Sequence, residues 1–232
     1  MIPNEKILDK AIELLPKNKP GKLLDVGAGS GLLCRKARNL GHLVYACDIN
    51  LKEFESKDIP FKKTDINNKL PYQNDTFDFV TCTEVLEHLK NPWQAINEMA
   101  RVTKKNGCLI ISLPNFTSLI SRFVFFTRGN FRYFDDWTWQ TWGHINPITF
   151  TELEKILSSV GFKIEKIDTQ EEIGQPYAFI FFVIHKLAST TFHLFKMARW
   201  QKDPKDKTLI QMETRPLLFG ENLVIKCKKV IK

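Results

Sequence analysis

The stretch Lys22-Leu-Leu-Asp-Val-Gly-Ala-Gly-Ser-Gly31 decides the fold. A short apolar run stops on three glycines at alternate positions, Gly27, Gly29 and Gly31. Leu32–Leu40 follows with helical patterning, and Gly41 closes it. Strand, glycine turn and helix in this order let a ligand approach the backbone closely at a helix N-terminus. The spacing is Gly-x-Gly-x-Gly rather than the dinucleotide-binding Gly-x-Gly-x-x-Gly, which disfavours a nicotinamide-dependent dehydrogenase.

Working outward, Glu5–Leu15 places Ile7, Leu8, Ile12 and Leu15 at helical spacing, and 16–21 breaks that helix. Downstream, Leu43–Cys47 reads as a second strand ending at Asp48, and Phe61–Thr64 as a weaker third ending at Asp65. Phe77–Cys82 is a fourth strand, Glu84–Leu89 is expected to begin a helix, and Pro92 starts another that runs to about Thr103. Asn106-Gly107 turns into a fifth strand, Cys108–Leu113. A helix with the capping pattern Thr151-x-x-Glu154 ends at Gly161, and Phe162–Ile167 and Asn222–Cys227 are the last strands. Strands alternating with helices so regularly imply a mostly parallel sheet covered on both faces.

On such a sheet the strand ends share one crevice. Asp48 stands where a carboxylate can accept both hydroxyls of a ribose, and Asp65 where an acceptor can meet an adenine amino group. As plain turn or cap residues they would need no such ordered set.

These residues resemble a family. Leu23-Leu-Asp-Val-Gly-Ala-Gly-Ser-Gly31, Asp48, Asp65, Phe77-Asp-Phe-Val80 and Glu84-Val-Leu-Glu-His-Leu89 look like the motifs of class I S-adenosylmethionine-dependent methyltransferases. They are most similar to the ubiquinone-biosynthesis-like, type 11/12 small-molecule branch. Leu113-Pro-Asn115 and Gly143-His-Ile-Asn-Pro-Ile-Thr-Phe150 extend the resemblance, which covers about 20–168 and the last strand. It implies an α/β fold, Rossmann-like and doubly wound, with a mostly parallel seven-stranded sheet and an antiparallel last strand. It also implies that Asp25 and the turn Gly27, Ala28, Gly29 hold the methionine end of S-adenosylmethionine. Asp48, with Ile49 beside it, would hold the ribose, Asp65 and the backbone at Ile66 the adenine, and Thr83 the floor.

The sulfonium is already a strong electrophile, so alignment of the acceptor is the main task, and an oxygen acceptor also needs a base. Glu84, Glu87 and His88 stand at i, i+3 and i+4, a spacing that puts all three on one face of the expected helix. His88 and His144 are the candidate bases, with Glu84 beside them, and either histidine could instead be a structural hydrogen-bonding residue. Glu-x-x-Glu-His also resembles a motif that ligates a divalent ion in ubiquinone-pathway and small-RNA O-methyltransferases. By that resemblance Glu84, Glu87, His88 and His144 would hold Mg²⁺, although no metal ligand is assigned from the sequence itself.

Two stretches interrupt the rhythm of a single methyltransferase domain spanning 1–232. Residues 115–147 are crowded with aromatics, and Trp137, Trp139 and Trp142 fit a lid over the substrate better than a core, whereas Phe123–Phe126 fit core packing. Residues 174–218 carry the apolar run Tyr177–Ile184 beside Lys186, Lys196, Arg199 and Lys202. The internal lysine argues against a bilayer span, leaving an interfacial helix or packing on the domain or a second subunit.

The formal net charge of +8 favours anionic surfaces without choosing among them. The five cysteines are odd in number and form no Cys-x-x-Cys pair, which suggests reduced core thiols. No apolar leader is visible. The expectation is a cytoplasmic enzyme, peripheral at the membrane if 174–218 is interfacial, methylating a small or lipid-linked acceptor at a hydroxyl. An RNA 2′-O-methyltransferase and a catalytically silent cofactor-binding protein are the alternatives. Nucleic acid is not the expected partner, because the basic residues are scattered. Oligomeric state is left open.

Overall fold

In the computed structural model, residues 4–16, 19–171, 182–184, 186–187, 212 and 214–230 are described. Seven strands, β1 (Lys22–Val26), β2 (Leu43–Asp48), β3 (Phe61–Lys63), β4 (Phe77–Thr83), β5 (Thr103–Pro114), β6 (Phe162–Asp168) and β7 (Asn222–Lys229), form one sheet. Their order is β3-β2-β1-β4-β5-β7-β6. Only β7 runs against its neighbours, pairing antiparallel with both β5 and β6. This is the Rossmann-like arrangement expected from the sequence, including the reversed last strand.

The inner strands are apolar on both faces because both are covered. On one face α1 (Glu5–Leu14) and α2 (Leu32–Asn39) bury Ile7, Leu8, Ala11, Leu33 and Cys34 against Leu23, Val44 and Ile110. On the other, α3 (Pro92–Val102) and α6 (Phe150–Ser159) bury Ile96, Met99, Leu153 and Ile156 against Leu24, Val80, Leu109 and Ile225. All five cysteines are buried and free, as their spacing suggested. Successive connections leave β1 toward β2 on one side and, after β3, return to β4 on the other, so a crevice opens at the carboxyl ends of β1 and β4.

Several local expectations are corrected. Glu84–Leu89 is not an α-helix: only Leu86–His88 makes a 3₁₀ turn, and Glu84 takes left-handed backbone at φ 54°. Asn106-Gly107 is absorbed into one long β5, where the pairing with β4 shifts register. The cap of α6 is Thr149, whose side chain accepts the Glu152 N–H, two residues before the expected Thr151.

Within 115–147 lie α4 (Leu119–Arg128) and α5 (Asp136–Trp142). Phe123, Phe125 and Phe126 are exposed, Phe126 to 87%, so the core packing expected for this run does not hold. Trp137 and Trp139 are also exposed. Of the insertion 174–218, most of the run Tyr177–Ile184 and the residues Lys196, Arg199 and Lys202 lie outside the described residues. Among those described, α7 (Arg215–Phe219) packs at the end of β5, where the Asn115 side-chain amide donates to the carbonyls of Pro216, Leu217 and Gly220. No helix among the described residues is long and apolar enough to cross a membrane.

Candidate active site

The glycine turn is pinned to β2 by its backbone, with the Gly27 and Ala28 N–H groups donating to the Cys47 carbonyl at 2.8 and 3.2 Å. Gly27 has φ +77°, and a Cβ there would stand 2.3 Å from Val85 Cγ2, so glycine is needed on both counts. Asp48 closes the other side: Oδ2 accepts the Gly29 N–H at 2.9 Å and Oδ1 the Asn50 N–H at 2.9 Å. Asp25 is buried at the end of β1, accepting from Thr81 Oγ1 at 2.7 Å and Cys34 Sγ at 3.3 Å. Burial pushes its carboxyl up to about 6 despite those hydrogen bonds. Asp65 is exposed and accepts the Asn67 N–H at 2.9 Å, so it also caps its own turn.

These groups surround a cavity of about 410 Å³. Asp25, Gly27, Ala28, Gly29, Asp48, Ile49, Asp65, Ile66 and Thr83 all line it, as do Glu84 and His88. A Cβ on Gly29 would meet no protein atom within 4 Å, leaving the turn as an open cradle for a ligand's backbone contacts. Asn4, which caps α1, Leu8 of α1 and Trp142 of α5 help complete the walls. The first two were missed in the sequence, where Leu8 reads only as part of the apolar face of a helix.

A second set of groups stands at the outer wall. Glu84 donates its N–H to Ser112 Oγ, and its carboxylate accepts from Ser112 Oγ and Asn222 Nδ2, each at 2.9 Å. Both of its oxygens are thereby engaged. Glu87 is 1% exposed and neither of its oxygens has a hydrogen-bond partner. Burial, with Glu84 nearby, holds its carboxyl well above the usual range.

The two histidine rings meet edge to face with centroids 5.0 Å apart. His88 Nδ1 lies 3.2 Å from the Gly143 carbonyl and His144 Nδ1 lies 3.0 Å from the Tyr133 carbonyl. A carbonyl only accepts, so each Nδ1 carries the proton and each Nε2 presents a lone pair. Burial lowers both imidazole pKa values, which keeps the rings neutral. The Glu87 carbonyl accepts the N–H groups of Ile145 and Asn146, locking the two segments together.

One donor atom each from Glu87, His88 and His144 lies within 4.8 Å of the others. Two neutral imidazoles anchored through their far nitrogens and a buried, unpartnered carboxylate fit a divalent cation. Glu84 is not part of that set, and its oxygens are already engaged. Tyr133, whose carbonyl orients His144, sits at φ +70°, and such backbone costs about 1–3 kcal/mol in a bulky residue. Nothing in the sequence marks Tyr133 or Asn222, since both act through partners distant in the chain.

Beside this wall the aromatic segment encloses a second depression of about 400 Å³, bounded by Phe123, Phe131, Tyr133, Trp137 and Trp142. Trp142 borders both cavities and lies 5.5 Å from the His144 ring.

A family model described as a methyltransferase domain matches residues 4–167. The chain belongs to that family. The chain is 34% identical over 105 residues to a ubiquinone biosynthesis O-methyltransferase of Xanthomonas oryzae, covering 41% of this chain and 44% of that protein. It is 32% identical over 126 residues to an uncharacterised protein of Methanocaldococcus jannaschii, covering 52% and 55%. The chain thus spans about half the length of the curated relatives it matches. A S-adenosylmethionine-dependent methyltransferase structure from Archaeoglobus fulgidus superposes with a TM-score of 0.63 at 22% identity, covering 97% of this chain and 94% of that one. By family the chain carries a methyltransferase domain, and its fold is that of the S-adenosylmethionine-dependent methyltransferase structure it superposes on.

Proposed function

We propose that the methyltransferase moves the methyl group of S-adenosylmethionine to a hydroxyl oxygen of a small or lipid-linked acceptor. The observation that carries this reading is His88 at the wall of a cavity built on the glycine turn, its Nε2 left as a lone pair, with the His144 ring, anchored in the same way, edge to face against it. The ubiquinone-pathway name of a relative supports the choice of oxygen.

S-adenosylmethionine supplies a methyl group already activated by its sulfonium. Gly27, Ala28 and Gly29 receive its methionine end, with Asp25 behind them as a buried carboxylate. Asp48 accepts from the ribose hydroxyls, with Ile49 alongside, while Asp65 and the Ile66 backbone meet the adenine over the Thr83 floor. The acceptor enters past Trp142, whose ring and those of Phe131 and Trp137 exclude water from the reacting groups. His88 or His144 accepts the hydroxyl proton at Nε2. In the alternative arrangement those same Nε2 atoms, with Glu87, would hold Mg²⁺, which would lower the pKa of an acceptor hydroxyl in place of a histidine base. Glu84 holds the end of β4 in register with β5 and β7.

The test uses catechol as a model hydroxyl acceptor with isotopically labelled cofactor. Labelled guaiacol, suppressed by chelator and restored by Mg²⁺, is the expected outcome. Cofactor binding without transfer to any oxygen, nitrogen or RNA hydroxyl would leave a silent binding protein instead.

A further inference from the structure

We infer that Arg132 and Glu221 form a clamp that positions His144 through the strained carbonyl of Tyr133. Arg132 Nη2 donates to Glu221 Oε1 at 2.9 Å, and the two side chains are only 27% and 30% exposed. The Arg132 guanidinium also lies 4.6 Å from the centre of the Tyr133 ring. One side chain therefore grips both the residue that leads into β7 and the next residue in its own segment. Tyr133 is held at φ +70°, where a bulky residue does not rest unaided. In that conformation its carbonyl reaches His144 Nδ1 at 3.0 Å, which fixes the tautomer and leaves Nε2 as the lone pair.

Glu221 is itself anchored on both sides by the backbone. Its N–H donates to the Glu171 carbonyl at 3.1 Å and its carbonyl accepts the Asn115 N–H at 2.9 Å. The clamp thus ties an aromatic segment that is exposed on α4 and α5 to the rigid sheet. An ordinary surface ion pair would contribute little and move nothing at a distance. Here the pair lies between the sheet and the one strained residue that orients a site histidine.

Glu221→Gln and Arg132→Gln both leave the cavity lining of the glycine turn untouched, so binding of S-adenosylhomocysteine should stay as in wild type. The direct readout is the pair of ring nitrogen shifts of His144, which separate the two neutral tautomers. In either variant the Nδ1-protonated signature of wild type should give way to a mixture. The double variant Glu221→Gln with Tyr133→Asn should regain it, because asparagine tolerates left-handed backbone and keeps the carbonyl. A merely structural bridge predicts no such rescue.

The second readout, Mn²⁺ affinity, rests on the reading of Glu87, His88 and His144 as a cation site, and it should fall about tenfold or more. If wild type binds no Mn²⁺, that reading fails and the His144 signature alone judges the clamp. An unchanged signature in both single variants, or no recovery in the double variant, overturns it. Were Glu221→Gln not to fold, Arg132→Gln, altered on the surface of the loop, carries the same test.

Discussion

Asp48 ties the end of β2 to the glycine turn, its Oδ2 accepting the Gly29 N–H at 2.9 Å. Its Oδ1 is engaged as well, by the Asn50 N–H, so the carboxylate is fixed in orientation before any ligand arrives. Asp48→Ala removes both that order and a two-oxygen acceptor for ribose hydroxyls. Hydrogen bonds to charged groups contribute about 1.5–3 kcal/mol each, so affinity for S-adenosylhomocysteine should drop at least tenfold. Calorimetric titration of wild type and variant measures it, and equal affinities would remove Asp48 from the site.

Two glycines of one turn should behave differently. Gly27→Ala forces a Cβ into Val85 at left-handed φ, so the melting temperature should fall by several degrees. Gly29→Ala meets no protein atom and carries only the left-handed penalty, about 1–2 kcal/mol. Its Cβ nonetheless enters the cavity, so ligand affinity should fall far more than stability. Thermal melts with parallel titrations separate the two effects.

Glu87 offers a test of the cation site that needs no acceptor. A buried carboxylate without a partner is costly, and replacing it with an apolar side chain of similar size should stabilise the metal-free protein by about 1–3 kcal/mol. Glu87→Met should therefore melt higher than wild type in chelator. In millimolar Mg²⁺ wild type should gain stability and the variant should not. A wild-type melting curve indifferent to divalent ions would leave Glu87 simply protonated.

Asp25 should impose a pH dependence on folding. Burial pushes its folded-state pKa up to about 6 from the ordinary 3.8, so the native protein holds this proton more tightly than the unfolded chain does. Stability from this group is therefore greatest below about pH 4 and declines as pH rises to about 6, by about 3 kcal/mol in total. Asp25→Asn lacks that titration. The stability of wild type relative to the variant should fall across this interval and level off above it. A difference independent of pH, read by denaturant unfolding at a series of pH values, contradicts the buried-carboxyl account.

How much of this could be read beforehand follows from distance along the chain. The glycine turn, Asp48 and Asp65 are legible because a strand, its terminal residue and the next turn are consecutive, and the fold brings such ends to one crevice. The Glu84–Leu89 segment misled for the complementary reason. Its spacing is helical, but Ser112 captures the Glu84 N–H and carboxylate and holds the residue in left-handed backbone. Asn222, 138 positions from Glu84, and Glu221, 89 from Arg132, leave no local pattern at all. The rings of α4 read as core from the sequence and are exposed in the fold, because aromatic composition reports hydrophobic area and not which side of a helix finds a neighbour.

The antiparallel β7 has a consequence for how the chain comes together. Among the described residues β6 pairs with no strand except β7, which is made more than fifty positions later. A ribosome therefore releases β6 long before it has an edge to join. Until Asn222–Lys229 emerges, β5 stands as an open border with its amides unpaired on one side. Late, non-local pairing of this kind is slow and leaves a half-built sheet exposed to other chains. The last strand is thus the closing stitch: a nascent protein can hold its glycine turn early, yet both Glu84 and Tyr133 wait for their anchors, Asn222 and Glu221, where that strand begins.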